Sequence, residues 1–234
     1  MVRLVLGLIL KLFNLHPIQK SAMTSKMSTE GSFRSTFDLL LATELEAKPI
    51  LADEDFKWLW DKGLGCYFDQ KCGHRLWVTG IGPTRSAYFM GKNVEQMKGG
   101  LINLGVVGAL GNFELAKMLR VDKVYSDHDH HPFIRKDDVI ELDSTSEESS
   151  GDFEVGCVIS VGKAVHDEVN KTRLAKVADV VDMELYALAT CAKWSGRSLR
   201  SYKIISDFAS EADAKMIVKR IPELMKCLWG NLSL

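Results

Sequence analysis

The sequence lacks any pair of cysteines at C-x-x-C spacing: Cys66, Cys72, Cys157, Cys191 and Cys227 are odd in number and scattered. That pattern argues against a disulfide framework or a zinc site and predicts a reducing compartment, the cytoplasm. Net charge is nearly absent, −1 at pH 7, so there is no electrostatic footprint for a nucleic-acid partner. Long apolar runs and internal repeats are missing too. The stretch Val2–Leu10, broken by Lys11, is too short to span a bilayer, and no membrane partner is predicted. Two readings of the N-terminus stay open: a weak signal peptide without a clean cleavage site, or a start assigned upstream of Met23 or Met27. Residues 1–36 are therefore set apart as an extension outside the fold, and residues 37–234 are read as one domain.

What is present is ordinary globular chemistry. Of the 234 residues, 46% are hydrophobic and 26% charged, enough apolar surface for a sizeable core. Phe37–Thr43 reads as a buried strand, and Cys66–Gln70 with His74–Gly80 as a hairpin turning at Gln70–Gly73. Pro83–Lys98 reads as a helix stopped by Gly99-Gly100. Strands are expected over Leu101–Leu104, Val121–Ser126, Val155–Val161, Val177–Val181 and Leu199–Ile205, with a helix over Met183–Trp194. Ile217, Ile221, Leu224, Met225 and Leu228 form the stripe of a final docked helix. Residues 136–154, rich in Ser, Asp and Glu, read as a mobile surface loop. Strands alternating with helices predict an α/β fold, a three-layer α/β/α arrangement with a mixed, largely parallel central sheet.

Three predicted strands end in acids: Thr43-Glu-Leu-Glu46, Asp182-Met-Glu184 and Ser206-Asp207. Each alone is explained by helix capping or by a favourable place in a first turn. Together they would deliver several carboxylates to the edge of the sheet where α/β proteins bind ligands. Like charges gathered there repel unless something uses them.

The strings LLLATELEA, VVDMELYALA and KIISDFAS resemble three signatures of the purine nucleoside phosphorylase/nucleosidase superfamily. VTGIGPTRSA and INLGVVGALG follow in the expected order, and the likeness runs from about Phe37 to Gly230. It is strongest to the hydrolase branch, futalosine hydrolase and methylthioadenosine/S-adenosylhomocysteine nucleosidase. The resemblance implies that Glu46 activates the attacking water, with Glu44 an adjacent candidate expected on the other side of the chain. It implies that Met183 packs on the ribose and Glu184 accepts its hydroxyls. Asp207 would protonate the leaving base, with Ser206 holding it, and Val165 would occupy the base-stacking position, where the family carries an aromatic residue. The implied enzyme uses no cofactor or metal, takes a small-molecule nucleoside and pairs as a homodimer.

The chemistry suits these residue types. A purine leaves poorly as an anion, so one acid must hold a proton for it while another carboxylate stays ionised to deprotonate water. Glu184 adds negative charge where the ribose becomes oxocarbenium-like. A phosphorylase would need an anion pocket, yet the Gly-Asp-Pro-x-Arg opening is absent and Asn103–Gly108 carries no hydroxyl. Arg85 is the only nearby cation and lies within a predicted helix. Water is therefore the expected nucleophile. The TELEA opening favours a futalosine-type substrate (futalosine or aminodeoxyfutalosine, in menaquinone biosynthesis) over methylthioadenosine or S-adenosylhomocysteine.

Three competing readings exist. Gly105-x-x-Gly108-x-x-Gly111 mimics the fingerprint of an NAD-binding oxidoreductase, although a tight turn and close packing explain it as well. Asp127–His131 mimics a metal site, although such local clusters are usually solvated. A catalytically silent nucleoside-binding protein is the third, and it would not need Glu46 and Asp207 together.

Overall fold

Alternating apolar runs and amphipathic stretches resolve into ten strands and five helices in the computed structural model, which describes residues 36–127, 139–143, 153–210 and 214–232. The expected N-terminal extension lies outside these residues except for Thr36, and so does most of the expected loop 136–154. In chain order the elements are β1 (Phe37–Leu41), α1 (Glu44–Leu51), β2 (Trp58–Asp61), β3 (Cys66–Asp69), β4 (Arg75–Val78), α2 (Pro83–Asn93) and β5 (Gly100–Ala109). They continue as β6 (Met118–Ser126), β7 (Ile140–Glu141), β8 (Glu154–Ser160), α3 (Glu168–Leu174), β9 (Val180–Asp182), α4 (Leu185–Trp194), β10 (Leu199–Asp207) and α5 (Ala214–Gly230).

The β3–β4 hairpin and the stripe of α5 form as the periodicity predicts: Ile221, Met225 and Leu228 are buried, with Ile217 and Leu224 packed beside them. Helix α2 stops short of the predicted Lys98. Asn93 folds its amide back onto the Phe89 carbonyl, and its own carbonyl accepts the Gln96 N–H, turning the chain so that Val94 and Met97 enter the core. Strand β5 is longer than predicted and runs through Gly105 to Ala109. Strands β2 and β7 and helices α1 and α3 were not anticipated, and β7 falls inside the segment read as a loop.

The sheet is mixed, as expected, but the three-layer arrangement around a largely parallel sheet needs correction. Strands β2, β3, β4, β1 and β5 form an open arm, while β5, β10, β6, β8 and β9 close back on themselves as a five-stranded barrel. Among the described residues, parallel and antiparallel pairings occur in equal number. The cause is the length of β5. One of its edges pairs β1 over Gly100–Asn103 and then β9 at Gly108 and Ala109, while β10 pairs the other from Leu101 to Gly108. A strand that changes partner along one edge leaves a fork between them.

Helices cover both faces of the arm, which is why β1 reads as a continuous apolar run. Leu39, Leu41, Ile102 and Leu104 pack with Ala47, Ile50 and the stripe of α5. Leu40, Trp77 and Leu101 pack on the other side with Met90, Leu185 and Leu188. These elements belong to one unit, Arg34–Leu234. All five cysteines are free. No helix among the described residues is long and apolar enough to cross a membrane.

Candidate active site

The fork in β5 is where the acids gather. Val106 lies beyond the last residue paired with β1 and before the first paired with β9, and its N–H points to Glu46 Oε1 at 3.4 Å. Glu46 reaches this position because Thr43 starts α1 with a capping box. The Glu46 amide donates to Thr43 Oγ1 (3.2 Å), and Glu46 Oε2 accepts from the Thr43 N–H (2.9 Å) and hydroxyl (3.1 Å). The capping explanation thus holds for one oxygen of Glu46, and the other is turned to the fork. Glu44 stands on the opposite side, as expected, because the segment is helical; in a strand the two glutamates would share a face. Two residues of helix are about 200° of rotation, and Glu44 is exposed, accepting from the Tyr67 hydroxyl at 3.3 Å.

Two glycines of β5 make room for carboxylates. A Cβ on Gly105 would lie 3.1 Å from Glu46 Oε1, and one on Gly108 would lie 3.0 Å from Asp207 Oδ1. These glycines sit inside a strand, not in a turn entering a helix, so the dinucleotide reading lacks its geometry.

A buried polar chain runs behind the fork. The Ser160 hydroxyl donates to Asp182 Oδ1 (2.5 Å) and accepts the Tyr186 N–H (2.9 Å). Asp182 Oδ2 lies 3.0 Å from Lys203 Nζ, and both side chains are 2% exposed. Asp182 also accepts the Leu185 N–H, so α4 begins at Leu185 and not at Met183. Met183 and Glu184 are left in the turn between β9 and α4. Glu184 Oε1 accepts the Gly82 N–H at 2.7 Å. On β10, the Ser206 hydroxyl lies 2.6 Å from Asp207 Oδ2 and 3.2 Å from the Val107 carbonyl, while the Ala209 N–H donates to Asp207 Oδ1 at 2.8 Å.

One cavity of about 250 Å³ brings together all six residues singled out from the sequence: Glu46, Val165, Met183, Glu184, Ser206 and Asp207 all line it. Thr43, His166 and Asp182 line it as well and were not assigned there. Lys203 was missed altogether. The sequence does carry a signal for it, since a lone lysine inside the apolar strand Tyr202-Lys-Ile-Ile205 must find a carboxylate or pay heavily for its burial.

Crowding sets the electrostatics. Burial raises the Glu46 carboxyl above its ordinary value, opposed by the Lys203 ammonium and the amides and hydroxyl of Val106 and Thr43. Glu184 is pushed up to about 7, by burial first and by the Asp182 charge second. The Gly82 amide and Lys203 oppose the rise, and the Glu46 charge adds to it. Carboxyls raised toward neutrality are effective proton acceptors near pH 7.

Among the described residues, the grouping of possible metal ligands is elsewhere: Asp69, Cys72 and His74 near the β3–β4 turn. Asp69 already accepts the amides of Lys57, Lys71 and Cys72, and His74 Nδ1 accepts the Phe37 N–H. An imidazole whose Nδ1 accepts carries its proton on Nε2, so neither nitrogen has a lone pair free for a metal. Of the Asp127–His131 cluster only Asp127 is described, and both its oxygens are held by Arg173, at 2.6 and 2.8 Å.

No family model and no curated protein matches the sequence. Solved structures do match the fold. Futalosine hydrolase of Helicobacter pylori strain 26695, crystallised as a mutant, superposes with a TM-score of 0.68 at 17% identity, over 83% of this chain and 95% of that one. The 5′-methylthioadenosine/S-adenosylhomocysteine nucleosidase of S. pneumoniae, bound to the transition-state inhibitor MT-ImmA, gives 0.69 at 17% over 83% and 95%. The Campylobacter jejuni nucleosidase of the same name gives 0.67 at 18% over 82% and 94%. At these identities the likeness is one of architecture, and the chain has the fold shared by futalosine hydrolase and the methylthioadenosine/S-adenosylhomocysteine nucleosidases.

Proposed function

We propose that this chain is an N-ribosyl hydrolase that releases the purine base from a 5′-substituted nucleoside. One observation carries the reading: six residues chosen from three separate segments for this chemistry line a single cavity at the fork of β5. In the proposed step a water proton passes to Glu46 Oε1 as the water oxygen bonds to C1′ of the ribose. The C1′–N bond breaks and its electron pair stays with the base, whose imidazole-ring nitrogen takes the proton of Asp207. Glu184 accepts the ribose hydroxyls while positive charge develops on the ring, and Met183 packs beneath it. The Ser206 hydroxyl can donate to Val107 while accepting from protonated Asp207, then turn to donate to Asp207 once the proton has left.

Water is favoured over phosphate as nucleophile by the charge of the cavity. Glu46, Asp182, Glu184 and Asp207 all line it, and among the described residues His166 is the only side chain there that could be cationic. A phosphate dianion entering beside Glu46 would meet repulsion without an arginine to offset it. The opening Thr43–Glu46 favours futalosine or aminodeoxyfutalosine as substrate, with methylthioadenosine or S-adenosylhomocysteine the alternative that the shared fold equally permits. A cytoplasmic homodimer fits this reading, with the five free cysteines in a reducing compartment.

The test is base release from each of these four nucleosides, with and without phosphate. Release that is independent of phosphate and yields a free ribose derivative supports the proposal. Ribose 1-phosphate as product would make the enzyme a phosphorylase, and no release from any of the four would overturn the reading.

A further inference from the structure

The open arm of the sheet ends at β2, and among the described residues no strand pairs with its outer edge. The register decides which groups are left over. The Gln70 N–H donates to the Lys57 carbonyl at 3.0 Å, so Lys57 faces β3 and the hydrogen-bonded positions alternate from there. Leu59 and Asp61 therefore turn their amides and carbonyls toward β3, while Trp58 and Trp60 turn theirs outward. No hydrogen bond among the described residues takes up those outward groups.

Proteins blunt such an edge with a proline, a bulge, a charge or a covering loop. Among the described residues, the middle of β2 has none of these. Leu59 and Trp60 are 48% and 50% exposed, and the pairing with β3 runs without a register shift. Trp60 is held by an edge-on contact with Tyr67, the ring centroids 4.9 Å apart. Charges stand only at the ends, Lys57 just before the strand and Asp61 as its last residue.

This pattern is complementary to itself. In an antiparallel pairing about a two-fold axis at Leu59, Trp58 of each copy stands opposite Trp60 of the other. Both residues face outward, so each such pair exchanges both of its N–H···O bonds. The same register sets Leu59 against Leu59 and Lys57 against Asp61. Asp61 Oδ1 accepts the Gly63 and Leu64 amides at 2.8 and 3.1 Å, which leaves Oδ2 for the lysine. An axis between Leu59 and Trp60 would instead set Lys57 against Lys62 and outward groups against inward ones.

We propose that the outer edge of β2 binds a second copy of this chain, joining two arms into one continuous sheet through an isologous contact. The proposal names the surface on which two copies meet and stands without the nucleosidase reading. No residue of β2 lines the reaction cavity, so pairing leaves turnover per chain unaltered. Two strands of this length bury less than a standard interface, so the association is weak and depends on concentration.

Sedimentation of the full chain from about 1 to 100 μM should show monomer passing into dimer. Leu59→Lys places two ammonium groups on the axis and should raise the Kd about tenfold, with melting temperature and kcat unchanged. Lys57→Glu opposes like charges at both ends and should weaken the dimer most at low salt. Position 59 meets itself at a non-hydrogen-bonded site, where Cα atoms lie about 4.5 Å apart, within reach of a disulfide. Mild oxidation of Leu59→Cys should therefore link two chains through the peptides that carry position 59. The amides of Trp58 and Trp60 should exchange hydrogen more slowly as concentration rises. A chain that stays monomeric at the highest concentration overturns the proposal, as does a dimer that neither charged substitution weakens and that does not link at position 59. Protection of Trp58 and Trp60 that is independent of concentration also overturns it, and would assign the edge to residues 1–35 of the same chain.

Discussion

Asp69 and Glu184 are both carboxylates withdrawn from water, yet the molecule treats them in opposite ways. At the β3–β4 turn, burial alone would raise Asp69, but the amides of Lys57, Cys72 and Lys71 outweigh it and hold the group below its ordinary value. At the fork, Glu184 has one amide, from Gly82, and faces the charges of Asp182 and Glu46, so it rises to about 7. The difference lies in the supply of donors. A turn offers several backbone N–H groups converging on one oxygen pair. A fork between strands offers few, and the molecule places several acids there. The first arrangement fixes a loop, and the second stores proton-accepting capacity at the cost of stability.

That contrast can be broken most sharply at the proposed reacting groups. Glu46→Gln and Asp207→Asn should each lower turnover of purine nucleosides by about 10²–10⁴, read as base release under saturating substrate. A ribosyl nitrophenol needs no protonation to leave, so Asp207→Asn should keep most of its activity on it while Glu46→Gln stays impaired. Equal losses on both substrates would make Asp207 a structural cap like Asp69.

Lys203→Met comes next. It leaves Asp182 buried without its counter-ion at 3.0 Å, and loss of one partner of a buried pair costs about 3–5 kcal/mol. Chemical denaturation would measure this, and a loss below about 1 kcal/mol would show that Asp182 is held by Ser160 and Leu185 alone.

Asp69→Asn should cost about 1–3 kcal/mol through weakened acceptance of its three amides, with kcat per folded molecule unaltered. Because Asp69 is held below its ordinary value, its stabilising effect is present at neutral pH. That effect is lost as pH falls below 3.8 toward its folded value. Impaired turnover at full folding would place the hairpin in the active site.

The smallest effect is a gain. The Glu184 carboxyl has its ordinary value near 4.5 and a folded value of about 7, so the stability it allows is complete below 4.5 and lost as pH rises through 7. Glu184→Gln stays neutral, and its melting temperature relative to wild type should climb across that window while its kcat/KM falls. In the wild type, kcat/KM should rise with pH through about 7 as Glu184 ionises to grip the ribose. A flat melting difference from pH 4.5 to 8 would mean that Glu184 is as well solvated as Glu44.

Much of this was legible because it is local. The acids at the ends of strands, the turn of the β3–β4 hairpin and the stripe of α5 follow from spacing alone. The capping box of Thr43 and Glu46 links residues three apart, and the helix it opens separates Glu46 from Glu44, which a strand would place on one face. Strand β5 runs on past Leu104 although glycine weakens a strand. Its glycines are there for carboxylates that arrive from Glu46 and Asp207, far away in the chain.

The sequence by itself determined which side chains could do chemistry and that they would stand at strand ends. Tertiary structure decided that β10 pairs β5 across about a hundred residues of chain, closing the barrel and opening the fork. It also decided which carboxyls are raised and that Lys203 stands among them. Side-chain identity and short-range hydrogen bonds are written residue by residue, whereas a strand's choice of partner and a carboxylate's charge depend on groups brought near only by folding.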